Sequence, residues 1–305
     1  MFNNKLIFAC MAGSHLYGLD RPDSDRDIRG VCFESLEQML GTHKFEQYVP
    51  GKVESLRWSG DNLSVEAEDV QIYGISKFFQ LCIDANLNII ELLFAEPIYT
   101  SDEWIRIRNN RHWFLSNKII HTVSGCAYSQ LSRIKRHKRW IDSPPSKPIP
   151  EEYGMILTER GGQKWTDSNK YNQYQSLIKY YNSYETWKAE RNPKRQELEV
   201  KYGYDTKHAM NIFRLFMESN ELLLTGDLTL PLREDDKSIL MDVYNGKVPY
   251  DDLVMYAEGI TDNLKNLEVV SVLPKQPEFD KVENMLIDMK MEYLLSGDLD
   301  GIRKD

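Results

Sequence analysis

The segment from Leu6 to Phe33 constrains the fold of this chain most strongly, because an apolar run, a Gly-Ser turn and two aspartates follow one another in it. Its first part, LIFACMA, is a run of strand-forming residues that ends at Gly13, which predicts a buried strand entering a tight turn. Glycine allows a ligand to approach the backbone, and the Ser14 hydroxyl and the amides after it can face phosphate oxygens. The pattern predicts a phosphate-binding loop at Gly13 and Ser14.

Asp25 and Asp27 come after this turn, and the apolar residues behind them predict a second strand. Side chains two residues apart on a strand point the same way, so we expect both carboxylates to project from one face. Adjacent carboxylates repel each other unless a cation lies between them, and Mg²⁺ commonly binds one or two carboxylates together with substrate phosphates. The pair therefore predicts a magnesium site, and an acidic surface loop is the alternative.

A strand, a Gly-Ser turn and an Asp-x-Asp pair in this order resemble the signature of nucleotidyltransferases of the DNA polymerase beta type. Gly13, Ser14, Asp25 and Asp27 match that signature. The resemblance implies an α/β (α+β) nucleotidyltransferase domain with a small mixed sheet, followed by a mostly helical domain. It also implies transfer of a nucleoside monophosphate from an NTP, with ATP favoured, by means of two Mg²⁺ ions for which Mn²⁺ can substitute.

A third carboxylate is expected on a half-buried strand within residues 65–73, where apolar and polar residues alternate. Polymerase-type transfer needs this group to help hold the second metal and to accept the proton of the attacking hydroxyl. Asp69 is the candidate, although it can also be a plain strand-end residue. Three other carboxylates compete with it, namely Asp61, Glu66 and Glu68.

The run from Asp69 to Phe94 resembles a branch of the superfamily that occurs in RNA-repair gene clusters and in phages. The resemblance selects Asp69 as the third metal ligand and predicts a helix over 76–84. Leu87 stands where this branch usually has proline, a difference that affects a turn and leaves the chemistry intact.

A second segment of the resemblance is GYDTKHAMNIFRL, residues 203–215. Its periodicity predicts a helix capped by Asp205 or Thr206, with an apolar stripe on one face. The resemblance implies that Lys207, His208 and Arg214 face the cleft and bind the triphosphate or the leaving pyrophosphate. The alternative is that Lys207 and Arg214 are surface charges and that His208 is bonded structurally.

The acceptor of the nucleotide is left open by these motifs. A basic run over 133–139, next to Trp140, could contact RNA phosphates, or it could be a solvated helix end. The formal net charge of -9 opposes broad binding to nucleic acid, while the gene-cluster resemblance favours an RNA or tRNA 3′ end. A protein side chain (AMPylation of a toxin), a small molecule, and a non-catalytic nucleotide-binding module are the alternatives.

The length of 305 residues and the 41% hydrophobic content suit two domains, which we expect at 1–100 (catalytic) and 101–305 (mostly helical, with a proline-rich loop near 142–150). The 4 cysteines lack paired spacing, so neither a zinc site nor a disulfide framework is indicated. No apolar run is long enough for a membrane span or a secretory signal. We therefore expect a cytoplasmic protein with no membrane partner.

Overall fold

The computed structural model describes residues 4–22, 24–50, 66–159 and 161–296, together with the backbone of 56–58 and 61–63. The elements of the first part of the chain are, in order, β1 (Leu6–Ala12), α1 (Ser14–Tyr17), β2 (Asp27–Cys32), α2 (Leu36–Leu40), β3 (Gln47–Tyr48), β4 (Leu56–Trp58), β5 (Asp61–Leu63), β6 (Asp69–Gly74), α3 (Ile75–Ile83), α4 (Leu87–Ile90) and β7 (Pro97–Thr100).

Five of these strands form one mixed sheet in the order β3-β6-β2-β1-β7. β1 runs antiparallel to β2 and β7, whereas β2 runs parallel to β6. Residues of β1 are buried on both faces of the sheet, as its continuous apolar sequence predicts. The expectation of a small mixed sheet in the N-terminal part is confirmed.

The remainder of the chain is mostly helical, which is also confirmed. Its elements are α5 (Asp102–Asn109), α6 (Ile119–Asp142), β8 (Met155–Leu157), β9 (Gln163–Trp165), α7 (Ser168–Glu190), α8 (Pro193–Tyr202), α9 (Thr206–Thr225), α10 (Glu234–Tyr244), α11 (Tyr250–Glu268) and α12 (Phe279–Leu295). None of the helices within the described ranges is long and apolar enough to cross a membrane.

α9 lies at the centre of the helical part, where it packs against α6, α10 and α11. Its apolar stripe is buried, with Ala209 and Ile212 fully enclosed. The same hydrophobic cluster continues to the sheet, because Phe33 after β2 stacks on Tyr293 of α12 with ring centroids 4.5 Å apart. Division of the chain at residue 100 stays a prediction.

Candidate active site

Gly13 joins the end of β1 to α1 and lies directly against Asp27. Its φ of 59° belongs to the left-handed region that favours glycine. A Cβ atom at this position would lie 2.5 Å from Asp27 Oδ2, so any other residue here would force the Asp27 carboxylate to move. The glycine therefore allows the predicted phosphate loop and the predicted metal ligand to be immediate neighbours.

Asp27 is the first residue of β2, whereas Asp25 precedes the strand. The expectation that both aspartates sit on the strand is thus wrong, since the ladder between β2 and β6 begins only at Asp27. The two carboxylates nevertheless interact. Burial raises the pKa of Asp27, nearby Asp69 and Asp25 raise it further, and Arg29 and Lys207 oppose the shift. A cation bound next to Asp27 would therefore stabilise the ionised form of its carboxylate.

Asp69 is the first residue of β6 and the direct neighbour of Asp27 across the parallel ladder. Its Oδ2 accepts a hydrogen bond from Arg29 Nη2 at 2.9 Å. Of the rival carboxylates, Glu68 bonds the backbone N–H of Arg26 at 2.7 Å and Glu66 is exposed, while the side chain of Asp61 lies outside the described residues. Register thus brings Asp69, and neither glutamate, beside Asp27.

The three aspartates differ in their present partners. Asp25 Oδ1 accepts from Lys194 Nζ of α8 at 3.0 Å, and Asp69 is paired with Arg29. Within the described residues, no group of three or more His, Cys, Asp or Glu side chains is arranged to hold a metal ion. Asp25 and Asp27 alone still suit Mg²⁺ in donor chemistry, because this ion is commonly bound by one or two carboxylates plus substrate phosphates.

These residues open into a cleft of about 510 Å³ between the sheet and the helical part. Gly13, Ser14, Asp25 and Asp27 line one side. The other sides are formed by residues of α6, α8, α9 and α10, which include Arg133, Lys194, Arg195, Lys207, His208, Met241 and Tyr244. The cleft therefore brings together all of the predicted site residues except Asp69. Asp69 does not line the cleft but is the neighbour of Asp27 in the sheet.

Lys207 lies exposed in the first turn of α9, and its positive charge reaches Asp27. Arg133 of α6 is also exposed in the cleft. Neither cation forms an ion pair with any residue in the described part of the chain. Two cations without carboxylate partners in a cleft are suited to bind anionic groups such as phosphates.

Arg214 lies two turns further along α9, where its side chain is almost completely buried. Its Nη1 bonds Glu91 and Glu218, the latter at 2.7 Å. Its Nη2 donates to Asn88 Oδ1 at 2.9 Å and to Asn211 Oδ1 at 2.8 Å. The guanidinium is thus engaged by protein acceptors at the floor of the cleft, so the geometry favours a bracing role; its predicted role as a phosphate ligand remains untested.

Tyr17 of α1 completes this cluster. Its hydroxyl donates to Glu91 Oε2 at 2.6 Å, and its ring lies 4.4 Å from the Arg214 guanidinium. Burial raises the pKa of Glu218 well above its usual range, an effect that Arg214 opposes. The cluster ties α1, directly after the Gly-Ser turn, to α9.

His208 is buried beside the cleft, with Nε2 at 3.5 Å from Asp205 Oδ2. Asp205 caps α9, since its Oδ1 accepts the backbone N–H of His208 at 3.0 Å, and this predicted cap is confirmed. Burial lowers the pKa of His208 to about 4; Asp205 raises it, and Arg195, Arg133 and His137 lower it further. A neutral imidazole at neutral pH can donate one hydrogen bond to a ligand but supplies no charge.

Four residues that line the cleft were not predicted from the sequence, namely Arg21, Lys194, Arg195 and Tyr244. They belong to α8, to the loop after α1 and to the end of α10, segments without any motif. A high local density of Lys and Arg near 191–195 is a sequence signal that could have indicated the cations of α8.

The basic run of residues 133–139 divides between two surfaces of α6. Arg133 faces the cleft, whereas Lys135 pairs with Glu258 at 2.5 Å and Lys138 with Asp142 at 2.9 Å. Trp140 is buried beneath Tyr184 and Trp187 of α7. Trp140 is therefore a packing residue in this structure, as the solvated-helix alternative allows.

Comparison with known proteins places this geometry in context. Residues 2–256 match the model of a family described as the RNA repair pathway DNA polymerase beta family. A protein of Enterobacteria phage T4, described as an uncharacterized 38.9 kDa protein of the nrdC-mobD intergenic region, is 23% identical over 86% of this chain and 89% of its own length. A nucleotidyltransferase-like protein of Exiguobacterium sibiricum, known from a crystal structure, aligns with 87% of this chain and 69% of that one at 9% identity and a TM-score of 0.26.

Proposed function

The chain belongs to the RNA repair pathway DNA polymerase beta family, which is nucleotidyltransferase-like, and we propose that it transfers a nucleoside monophosphate from an NTP to an acceptor hydroxyl. The observation that carries the proposal is the contact between the Gly-Ser turn and Asp27, where a Cβ on Gly13 would lie 2.5 Å from the carboxylate. A turn that receives phosphates is useful for this reaction only when it lies beside the carboxylates that hold the metal.

Asp25 and Asp27 would hold Mg²⁺, which supplies charge neutralisation of the triphosphate and polarisation of the reacting phosphoryl group when it is bound. Ser14 and the backbone after Gly13 bind terminal phosphate oxygens. Lys207 and Arg133, which have no ion-pair partner in the described ranges, bind the phosphates from the helical side. Both sides of the cleft therefore grip the anionic part of the NTP.

Asp69 accepts the proton of the attacking hydroxyl in this proposal. It lies beside Asp27 in the ladder, and its bond to Arg29 keeps the carboxylate in one orientation. The hydroxyl oxygen forms a bond to the α-phosphorus of the NTP, and the bond from that phosphorus to the bridging oxygen breaks, so that pyrophosphate leaves. Lys194, which donates to Asp25 Oδ1 at 3.0 Å, would supply a positive charge near the departing pyrophosphate.

The acceptor that we propose is the 3′ end of an RNA, with ATP as the donor. The description of the family supports an RNA substrate, and exposed Arg133 offers a cation next to the cleft. The described residues carry a second cation of α6, Arg136, that is also exposed and lies 5.4 Å from the Trp140 ring. A local basic strip of this kind can contact a strand end even on a chain with a formal net charge of -9.

The test is to incubate the protein with Mg²⁺, each of the four labelled NTPs in turn, and total cellular RNA, and to measure pyrophosphate release and label in RNA. We expect Asp27→Asn to abolish both signals, because an amide cannot replace the charged metal ligand. Asp262→Asn, at an exposed position of α11, is the matched control and should react like the wild type. Melting curves will verify that Asp27→Asn is folded.

Near-normal turnover by Asp27→Asn would overturn the assignment of the metal site. Pyrophosphate release without labelled RNA would instead move the acceptor to a protein side chain or a small molecule. Nucleotide binding without turnover on any acceptor pool would favour a non-catalytic binding module.

A further inference from the structure

The cleft differs in character between its two ends. The carboxylates and the Gly-Ser turn lie on the sheet side, whereas the α10 end of the lining has one apolar and one aromatic side chain, Met241 and Tyr244, with the Arg21 guanidinium against the Tyr244 ring. We propose that this α10 end is the binding site of the nucleobase, with the base stacked on the ring of Tyr244. The inference rests on the proposed function and names the part of the NTP that each end receives.

Tyr244 already carries a planar group on its ring. The guanidinium carbon of Arg21 lies 4.8 Å from the ring centroid, and the tyrosine is only partly buried. A nucleobase is also planar, and bases stack favourably on aromatic rings and on guanidinium groups. The pair offers both kinds of surface at one place in the cleft.

Space for a base exists next to this pair. Leu19, Arg21 and Met241 line both the main cleft and an adjoining cavity of about 350 Å³, so these side chains separate the two spaces. The adjoining cavity is also lined by Asp20, Glu234, Lys237 and Ser238, whose polar groups can meet the hydrogen-bonding edge of a base. Lys237 Nζ is paired with Glu234 there at 2.9 Å.

α8 connects the neighbourhood of the carboxylates with that of Tyr244. α8 begins beside the carboxylates, where Lys194 bonds Asp25 at 3.0 Å, and ends at Tyr202, which packs against Gly246 just after Tyr244. Eight residues of α-helix span about 12 Å. The carboxylates and Tyr244 line the same cleft, so one bound nucleotide can contact both.

The opposite direction along the cleft is less suitable for a base. There the walls are formed by Arg133, Arg195 and buried His208, and Arg195 is held by Asp205 at 2.7 Å. Charged groups of this kind bind phosphates better than the apolar faces of a base. The α10 end is thus the better binding site for the nucleobase.

The experiment compares the binding of ATP with that of inorganic triphosphate, both with Mg²⁺, to the full chain. In Tyr244→Ala we expect ATP binding about tenfold weaker than in the wild type, with triphosphate binding within twofold, because only the stacking partner of the base is lost. Tyr244→Phe should bind both ligands like the wild type. Tyr128→Ala, at an exposed position of α6, is the matched control.

Unchanged ATP binding by Tyr244→Ala, or an equal loss of ATP and triphosphate binding, would overturn the assignment of the nucleobase site. Either result would leave the proposed function in place. A wild-type protein that binds neither ligand would overturn both the nucleobase site and the proposed function. Should Tyr244→Ala fail to fold, Tyr244→Leu keeps the apolar volume without a ring, and the same two outcomes decide.

Discussion

Lys207 and Arg214 are both cations of α9, seven residues apart and so on nearly the same face of the helix, yet their surroundings are opposite. Lys207 is exposed at the cleft and is unpaired within the described ranges. Arg214 is buried beneath it between two carboxylates. The positive charge of Lys207 is available to a ligand, whereas that of Arg214 is already used by the protein.

The difference separates two tasks that the cleft must perform. A group that binds and releases phosphates has to remain solvated between turnovers, as Lys207 does. A group that holds α1 against α9 must be enclosed and fully bonded, because a buried ion contributes only when every partner is in place. Arg214 meets that condition through Tyr17 and Glu91 on the sheet side and Glu218 on its own helix.

The largest effect that we predict from this comparison is on folding. Arg214→Leu should lower the free energy of unfolding by about 3–5 kcal/mol, because it leaves Glu91 and Glu218 buried without their counter-ion. Urea denaturation measures the change. Arg233→Leu is the matched control, since the exposed pair of Arg233 with Glu221 should be worth at most about 1 kcal/mol. Equal losses in the two variants would contradict the assignment of Arg214 as a brace.

Lys207→Ala should produce the reverse pattern. We expect triphosphate binding to weaken about tenfold, or about 1.4 kcal/mol, because a phosphate loses its point charge. Stability should change by less than about 0.5 kcal/mol at this exposed site. Titration of the protein with inorganic triphosphate measures the binding, and Lys247→Ala, which removes an exposed lysine after α10, is the control. A loss of stability with unchanged binding would remove the contrast with Arg214.

The smallest effect concerns His208, which lies between the two cations on α9. Its pKa is lowered to about 4 in the folded protein, against about 6.5 in an unfolded chain. Between these pH values the unfolded state binds a proton that the folded state does not, so stability decreases as the pH falls from about 6.5 towards 4.

His208→Gln should reduce that decrease, as measured by melting temperature at a series of pH values. His121→Gln, at an exposed position of α6, should leave the profile unchanged. The flanking groups Asp205, Arg195, Arg133 and His137 remain in both variants. An identical pH profile in His208→Gln and the wild type would show that the buried imidazole is not the group that titrates.

Local sequence patterns predicted much of the fold. The strand at residues 6–12, the turn at Gly13, the cap at Asp205 and the helix behind it are all present, since each depends on neighbours within a few residues. The helix that the family resemblance implies at 76–84 occurs as α3, shifted by one residue. Boundaries were less accurate, since Asp25 was expected on the second strand and instead precedes β2.

Local sequence accounts for the chemistry on the sheet side of the cleft. The apolar strand before the turn and the left-handed backbone conformation at the turn determine where Gly13 and Asp27 lie. Both are local requirements. Asp69 needed the resemblance as well, and the parallel register then placed it beside Asp27.

Long-range packing, by contrast, sets which charges on the helical side can bind a ligand. The partners of Arg214 include Asn88 and Glu91, more than a hundred residues away in sequence, and Lys194 meets Asp25 across a similar separation. Helical periodicity assigns a residue to a face but does not say what covers that face. Burial and pairing of a charge depend on long-range packing, and they determine whether a cation braces the fold or remains available to phosphate.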